Sequence, residues 1–232
     1  MKKLSLGILG IASAALLASQ SAHANSVGGV GVGINYGLIQ GASLEVNYPI
    51  NKYFQVRGNF SAGAGLSDDQ VEDGILYEAE ADGGVYRLSM NYHPFGGNFF
   101  LSAGYAVNNF ALDASGTGDG LVTVGNDNYQ ANNLKLAGEI AWDNAPVVTL
   151  GWGHSPAAGW GALFEVGVMF TGSPDTQLSA TGSVSDSNGN TLDAATNPIF
   201  QSSLREEENK LQDDIADADL LPVLQAGVTY RF

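Results

Sequence analysis

The 232-residue chain carries a formal charge of −15 and contains no cysteine. An acidic excess of that size repels nucleic acid, and without cysteine no disulfide staples the fold. No stretch beyond the N-terminus reaches the ~18 apolar residues of a spanning helix.

The N-terminus comes first. Lys2 and Lys3 precede an apolar run from Leu4 to Ala18, and Ala22-His23-Ala24 forms an A-x-A site before Asn25. This is the pattern of a secretory signal peptide. Residues 1–24 are therefore read as a cleaved leader, and residues 25–232 as one exported all-β domain. No transmembrane helix is expected in it.

Eight segments then alternate apolar and polar residues, the period of a strand with two different faces. The first, Gly29 to Tyr36, sets Val30, Val32, Ile34 and Tyr36 against Gly31, Gly33 and Asn35. The second, Ala42 to Ile50, sets Leu44, Val46 and Tyr48 against Ser43, Glu45 and Asn47. The third, Tyr53 to Ala64, sets Phe54, Val56 and Phe60 against Gln55, Arg57 and Asn59. The fourth, Val85 to Tyr92, sets Tyr86, Leu88 and Met90 against Arg87, Ser89 and Asn91. The fifth, Asn98 to Phe110, sets Leu101, Ala103 and Tyr105 against Ser102, Gly104 and Asn108, with Phe100 breaking the rule.

In the sixth, residues 134–154, Leu134, Leu136, Ile140 and Trp142 share parity with Val148, Leu150 and Trp152 across Pro146. The reading adopted is one bent strand whose upper part projects beyond the membrane. Two strands joined at Asp143-Asn144-Ala145-Pro146 is the competing parse. The seventh, Trp160 to Thr171, sets Phe164, Val166, Val168 and Phe170 against Gly161, Glu165 and Gly167. The eighth ends the chain: Leu224, Ala226, Val228, Tyr230 and Phe232 oppose Gln225, Gly227, Thr229 and Arg231.

Segments of ~10 residues with this repeat are the signature of a transmembrane β-barrel. The connections agree. Ile50 to Tyr53, His93 to Gly97 and His154 to Gly159 are short and turn-like, and they alternate with one short link, Leu38 to Gly41, and three long loops. The charges agree too. Glu45, Arg57, Arg87, Lys135, Glu139, Glu165 and Arg231 all fall on the polar parity. A charge facing lipid at the midplane costs ~2–4 kcal/mol, so these residues are expected inside, as a charge network in a plugged, polar lumen. Glu139 lies high on the long sixth segment.

Three stretches resemble known sequences. Asn51-Lys52-Tyr53-Phe54-Gln55-Val56-Arg57-Gly58 resembles a periplasmic turn feeding an upward strand. Ala145-Pro146-Val147-Val148-Thr149-Leu150-Gly151-Trp152-Gly153 resembles a P-x-x-x-L-G-x-G strand. Val228-Thr229-Tyr230-Arg231-Phe232 resembles a closing strand. In these the chain looks like a small eight-stranded outer-membrane barrel of the OmpA/OmpW type. The resemblance implies an antiparallel transmembrane barrel in the outer membrane of a Gram-negative bacterium, with short periplasmic turns and long acidic extracellular loops. It also implies that Val228, Tyr230 and Phe232 form the signal read by the barrel-assembly machinery. Such families include anchors, adhesins, narrow channels for small apolar compounds and lipid-modifying enzymes, and fold does not choose among them.

The loops hold most of the acid, including Asp68, Asp69, Glu72, Asp73, Glu78, Glu80 and Asp82 in one and Glu206-Glu207-Glu208 in another. One reading is divalent cations bridging to the phosphates of surrounding lipopolysaccharide. The reading preferred is a solvated surface that resists aggregation. Asp186-Ser187-Asn188-Gly189-Asn190 matches a calcium loop only in part: Thr191 stands where glycine is needed, and Asn197 where a bidentate glutamate is needed. Residues 197–218, with Pro198 at a helix start and Leu204, Leu211 and Ile215 at helical spacing, are read as a short amphipathic helix capping the barrel mouth. His93 and His154 fall in turns away from the acid, and no hydrolase or metalloprotease motif occurs. No cofactor, metal site or enzymatic activity is expected. The function expected is structural or surface-interacting. A narrow channel or lateral path for small hydrophobic molecules is the alternative, and a lipid-modifying enzyme the third class.

Overall fold

A computed structural model describes residues 29–72, 75–154 and 158–232; the expected leader lies outside them. In chain order the elements are β1 (Gly31–Gly37), β2 (Gly41–Pro49), β3 (Phe54–Ser61), β4 (Leu66–Glu72), β5 (Ile75–Asp82), β6 (Val85–Tyr92), β7 (Phe99–Asn108) and β8 (Ala111–Val124). They continue with β9 (Asp127–Ala141), β10 (Ala145–Trp152), β11 (Gly159–Phe170), β12 (Asp175–Ser185), β13 (Thr191–Asp193), α1 (Pro198–Ile215) and β14 (Leu220–Arg231).

Eight of the strands close an antiparallel barrel in the order β1-β14-β11-β10-β7-β6-β3-β2. The alternating sequence dictates the wall. Residues such as Ile34, Leu44, Leu88, Tyr105, Leu150 and Trp160 point outward and are exposed, while their neighbours of opposite parity are buried inside. The ring shuts where the ends of the chain meet. Gly31 pairs with Arg231, and Gly29 N–H donates to Phe232 O at 2.7 Å. The short connections, β2–β3, β6–β7 and β10–β11, lie at one end of the barrel, here the turn end.

At the other end, the loop end, the wall does not simply stop. A second, six-stranded antiparallel sheet runs β13-β12-β9-β8-β5-β4. Five of its strands, all but β13, are chain continuations of β3, β6, β7, β10 and β11, interrupted at the rim. Close approach makes the break. Gly83, at φ +95, lies so close to Asn109 O and Phe110 that a side chain there has no room, and its left-handed backbone is one that glycine adopts without penalty.

This sheet corrects three expectations. The long loops are largely strands: β4, β5, β8, β12 and β13 were not read from the sequence. The sixth segment is two strands in two sheets, parted at residues 142–144. There Asn144 Oδ1 accepts from Asn108 N at 2.8 Å, and Asn108 Nδ2 donates to Trp142 O at 3.0 Å. The helix also sits differently. Asn197 caps it through Ile199 and Phe200 N–H, and Pro198 occupies the first turn, where a missing N–H costs nothing. Its buried contacts are Phe200, Ser203 and Leu204, packed on the sheet with Val122, Val124, Tyr129, Leu134, Val184 and Leu192. Leu211 and Ile215 are only half-buried. The helix therefore covers a sheet face rather than the barrel mouth, although Trp142 Nε1 donates to Ala218 O just beyond it.

Candidate functional site

The lumen is filled in two tiers. Toward the turn end every strand contributes a polar side chain to one cluster. β3 supplies Arg57 and β11 Glu165, both fully buried. Arg57 grips Glu165 with both guanidinium ends, Nη1 to Oε2 at 2.8 Å and Nη2 to Oε1 at 2.6 Å, the fork geometry that makes such pairs strong. Arg87 of β6 donates to the same carboxylate at 2.9 Å. Thr149 of β10 and Gln225 of β14 also donate to it. Ser89 and Ser102 accept from Arg57 at 3.3 Å each.

Glu45 of β2 is the second carboxylate. It accepts from Asn35 at 3.1 Å and Asn47 at 3.0 Å, and lies 3.8 Å from Arg57. Arg231 does not reach it directly. Its Nη2 donates to Asn47 Oδ1 and, at 2.6 Å, to Gln55 Oε1, while Nη1 donates to Gly29 O at 3.1 Å. Asn47 thus links Arg231 to Glu45.

Both histidines belong to this tier rather than to the solvent side of their turns. His154 has φ +52, uncommon for a residue with a side chain, and this turns the ring inward. Its Nε2 lies 3.0 Å from Arg57 Nη1. Arginine only donates, so Nε2 accepts. Its Nδ1 lies 3.0 Å from Glu45 Oε1 but outside hydrogen-bond geometry. His93 Nδ1 donates to Gly97 O at 2.7 Å while its Nε2 accepts from Gln55. Phe100 packs between the two rings and under Arg57, whose guanidinium carbon is 5.4 Å from its centroid. Its parity was regular after all: β7 faces it inward. Among the described residues neither histidine meets both a hydroxyl and a carboxylate in a lipid-facing pocket, the geometry the enzyme class needed.

The loop-end tier is apolar: Val85, Ala106, Phe110, Ala145, Val147, Met169, Leu221 and Val223, with Ile39, Ala81 and Trp142 against them. The expectation of a polar lumen is corrected at this end, where the filling is apolar. Near the rim the polar parity gives way to Val, Met and Leu on β6, β10, β11 and β14, while β1, β2 and β3 keep Asn35, Ser43, Asn59 and Ser61 inside. At the turn end a cavity of about 20 Å³ touches Asn47, His154, Thr229 and Arg231, room for about one water molecule.

Of the charges singled out, Glu45, Arg57, Arg87, Glu165 and Arg231 meet in this cluster. Lys135 and Glu139 do not. Both are exposed on β9 in the second sheet. Parity counted back from Val148 had placed them inside, but the irregular residues 142–144 reset which face points in. The Asp186 loop is also explained without a cation. Its carboxylate accepts from the Asn188 and Asn190 N–H groups at 2.9 and 2.8 Å and from Asn190 Nδ2 at 2.9 Å. Among the described residues no group of three metal-ligating side chains occurs.

The fold has solved counterparts. Two Acinetobacter baumannii proteins, CarO2 and CarO, match at TM-scores of 0.58 and 0.57, each at 23% identity over 90% of this chain and 100% of theirs. No family model matches the chain, and no curated protein does.

Proposed function

We propose that the protein is an outer-membrane barrel of a Gram-negative bacterium, closed to solutes, that anchors its sheet-and-helix unit at the cell surface. The observation that carries this reading is the filled lumen: a fully buried Arg57–Glu165 pair at 2.6 Å, roofed by an apolar tier. A barrel of eight strands is just wide enough for side chains to fill. The outward belt of Leu, Val, Phe and Tyr suits hydrocarbon, and the acidic sheet suits water. In this reading Val228, Tyr230 and Phe232 serve assembly, lipopolysaccharide surrounds the wall, and divalent cations screen the exposed carboxylates. The short connections then face the periplasm.

Planar-bilayer recording tests the closed lumen. Folded protein is expected to give no large, stable conductance; a steady open channel in the wild-type protein would refute the reading. Fractionation tests the location: recovery as soluble periplasmic protein without detergent would overturn it.

A further inference from the structure

The second sheet continues the barrel wall over only part of its circumference. β2 pairs with β3 as far as Ser43 and Ser61, and then turns back through Leu38 to Gly41 into β1. β3 goes on as β4, which among the described residues therefore has no neighbour on the side above β2. Among the described residues β4 pairs with β5 alone, at the edge of the six-stranded sheet. A seven-residue edge strand presents a row of unpaired N–H and C=O groups, which natural sheets usually blunt with charged side chains, lysine above all, or with proline or a bulge. Leu66-Ser67-Asp68-Asp69-Gln70-Val71-Glu72 contains neither lysine nor proline, and its pairing with β5 is without register shifts.

The charge there has one sign. Residues 66–82 contain Asp68, Asp69, Glu72, Asp73, Glu78, Glu80 and Asp82 with no Lys or Arg. Across the sheet, Glu80 pairs with Asp113, and Asp113 with Glu139. At the edge itself Asp69 pairs with Glu78; like charges directly opposite are destabilising, so a cation laid along β4 offsets the repulsion nearest to it. A second copy of the chain would bring acid against acid along the same edge, so the self-pairing that threatens most open edges is opposed here.

We propose that the open edge of β4 accepts an extended lysine- or arginine-rich segment of another protein as an added strand, in the place above β2 where the wall has no continuation. Main-chain hydrogen bonds supply the affinity and the acidic strands select the partner's charge. The proposal rests on the reading that this unit is held at the surface. Its test is run in detergent and does not depend on conductance, so the two fail separately.

The probe is a fluorescein-labelled acetyl-(Lys-Val)5-amide, titrated by anisotropy against the full folded protein in micelles. Saturable binding is expected. The same peptide with alternate amides N-methylated keeps its charge but loses one hydrogen-bonding edge, and should bind at least ten-fold more weakly. Asp68→Lys/Asp69→Lys should weaken the parent peptide at least ten-fold, with the barrel's unboiled gel mobility unchanged. The cysteine-free chain allows a third arm: Ser67→Cys should crosslink to a peptide carrying one cysteine. Equal binding of the N-methylated peptide would reduce the effect to bulk charge and overturn the proposal. So would an absence of binding, or Ser67→Cys yielding protein homodimers instead of peptide adducts.

Discussion

Glu165 is the residue on which the lumen's electrostatics turn. It receives Arg57 twice and Arg87 once, besides Thr149 and Gln225. Glu165→Leu would leave Arg87 without a carboxylate and Arg57 with only Glu45 at 3.8 Å. Arg57→Leu is milder: Glu165 retains Arg87, and Glu45, which loses its arginine, keeps the Asn35 and Asn47 donors and can take up a proton, whereas a stranded arginine cannot shed one. Breaking a buried pair from one side costs ~3–5 kcal/mol in soluble proteins. Glu165→Leu is expected at the top of that range and Arg57→Leu below it. The double variant removes both ions and should cost less than the two losses summed, with a coupling of ~0.5–3 kcal/mol. The assay is reversible urea unfolding in phospholipid vesicles, followed by tryptophan fluorescence and gel mobility. Additive losses, or Arg57→Leu proving the more damaging change, would refute the pairing.

Other substitutions probe the rest of the molecule. Gly83→Ala places a methyl against Asn109 O on a left-handed backbone and should cost more than ~4 kcal/mol, an exceptional loss for one substitution. Gly65→Ala, also left-handed but with open space around it, should cost ~1–2 kcal/mol; equal losses in the same unfolding assay would contradict the steric account. Phe200→Ala removes the fully buried anchor of α1 and should destabilise the upper unit by ~3–5 kcal/mol. Trypsin should then cleave after Arg205 and Lys210 while the barrel stays folded, and unchanged resistance would count against the anchor. The Asp186 carboxyl is held below its ordinary value of 3.8 by the Asn190 side chain, then by backbone N–H groups of the same loop. A depressed folded pKa means that the loop's stabilisation is present above the ordinary value and lost as pH falls through the lowered one. NMR titration of Asp186 at or above 3.8 would remove that cause.

What the sequence made legible follows from where lipid enforces alternation. All eight wall strands show it, because one face meets hydrocarbon and the other a packed lumen. The second sheet has no such contrast. Asp113 and Ser115 of β8 are exposed, and α1 covers only part of the opposite face. Ala111–Val124, with its run of small, acidic and glycine residues, therefore carries no period to read. The helix announced itself through Pro198 and its leucine spacing, but Phe200 and Ser203 were missed as anchors, since only the sheet beneath determines which turn is buried. The apolar tier hid for another reason: Val85, Val147 and Val223 sit on the parity that the charges had marked as polar. His154 carried a faint signal. Gly153 before it permits φ +134, the kind of backbone that lets a turn residue swing back into the barrel.

The apolar tier also bears on why the ions are there at all. This chain fills the loop end of its lumen largely with Val, Met and Leu, so charge is not needed for filling. Buried pairs are often matched or bettered in stability by apolar residues of similar volume. The cluster does, however, take a side chain from every wall strand: Asn35, Glu45, Arg57, Arg87, Ser102, Thr149, Glu165 and Gln225. A one-residue slip of any strand exchanges its two faces. On β2, β3, β6 or β11 such a slip would send an ion into lipid, at ~2–4 kcal/mol, and orphan its partner as well. The hypothesis is that the network selects one register rather than deepening the native state. Replacing Glu45, Arg57, Arg87 and Glu165 together by Leu or Met should then leave a barrel of similar urea resistance that refolds into several species, resolved by unboiled gel mobility. A single native-like band with lower stability would show instead that the ions act through stability alone.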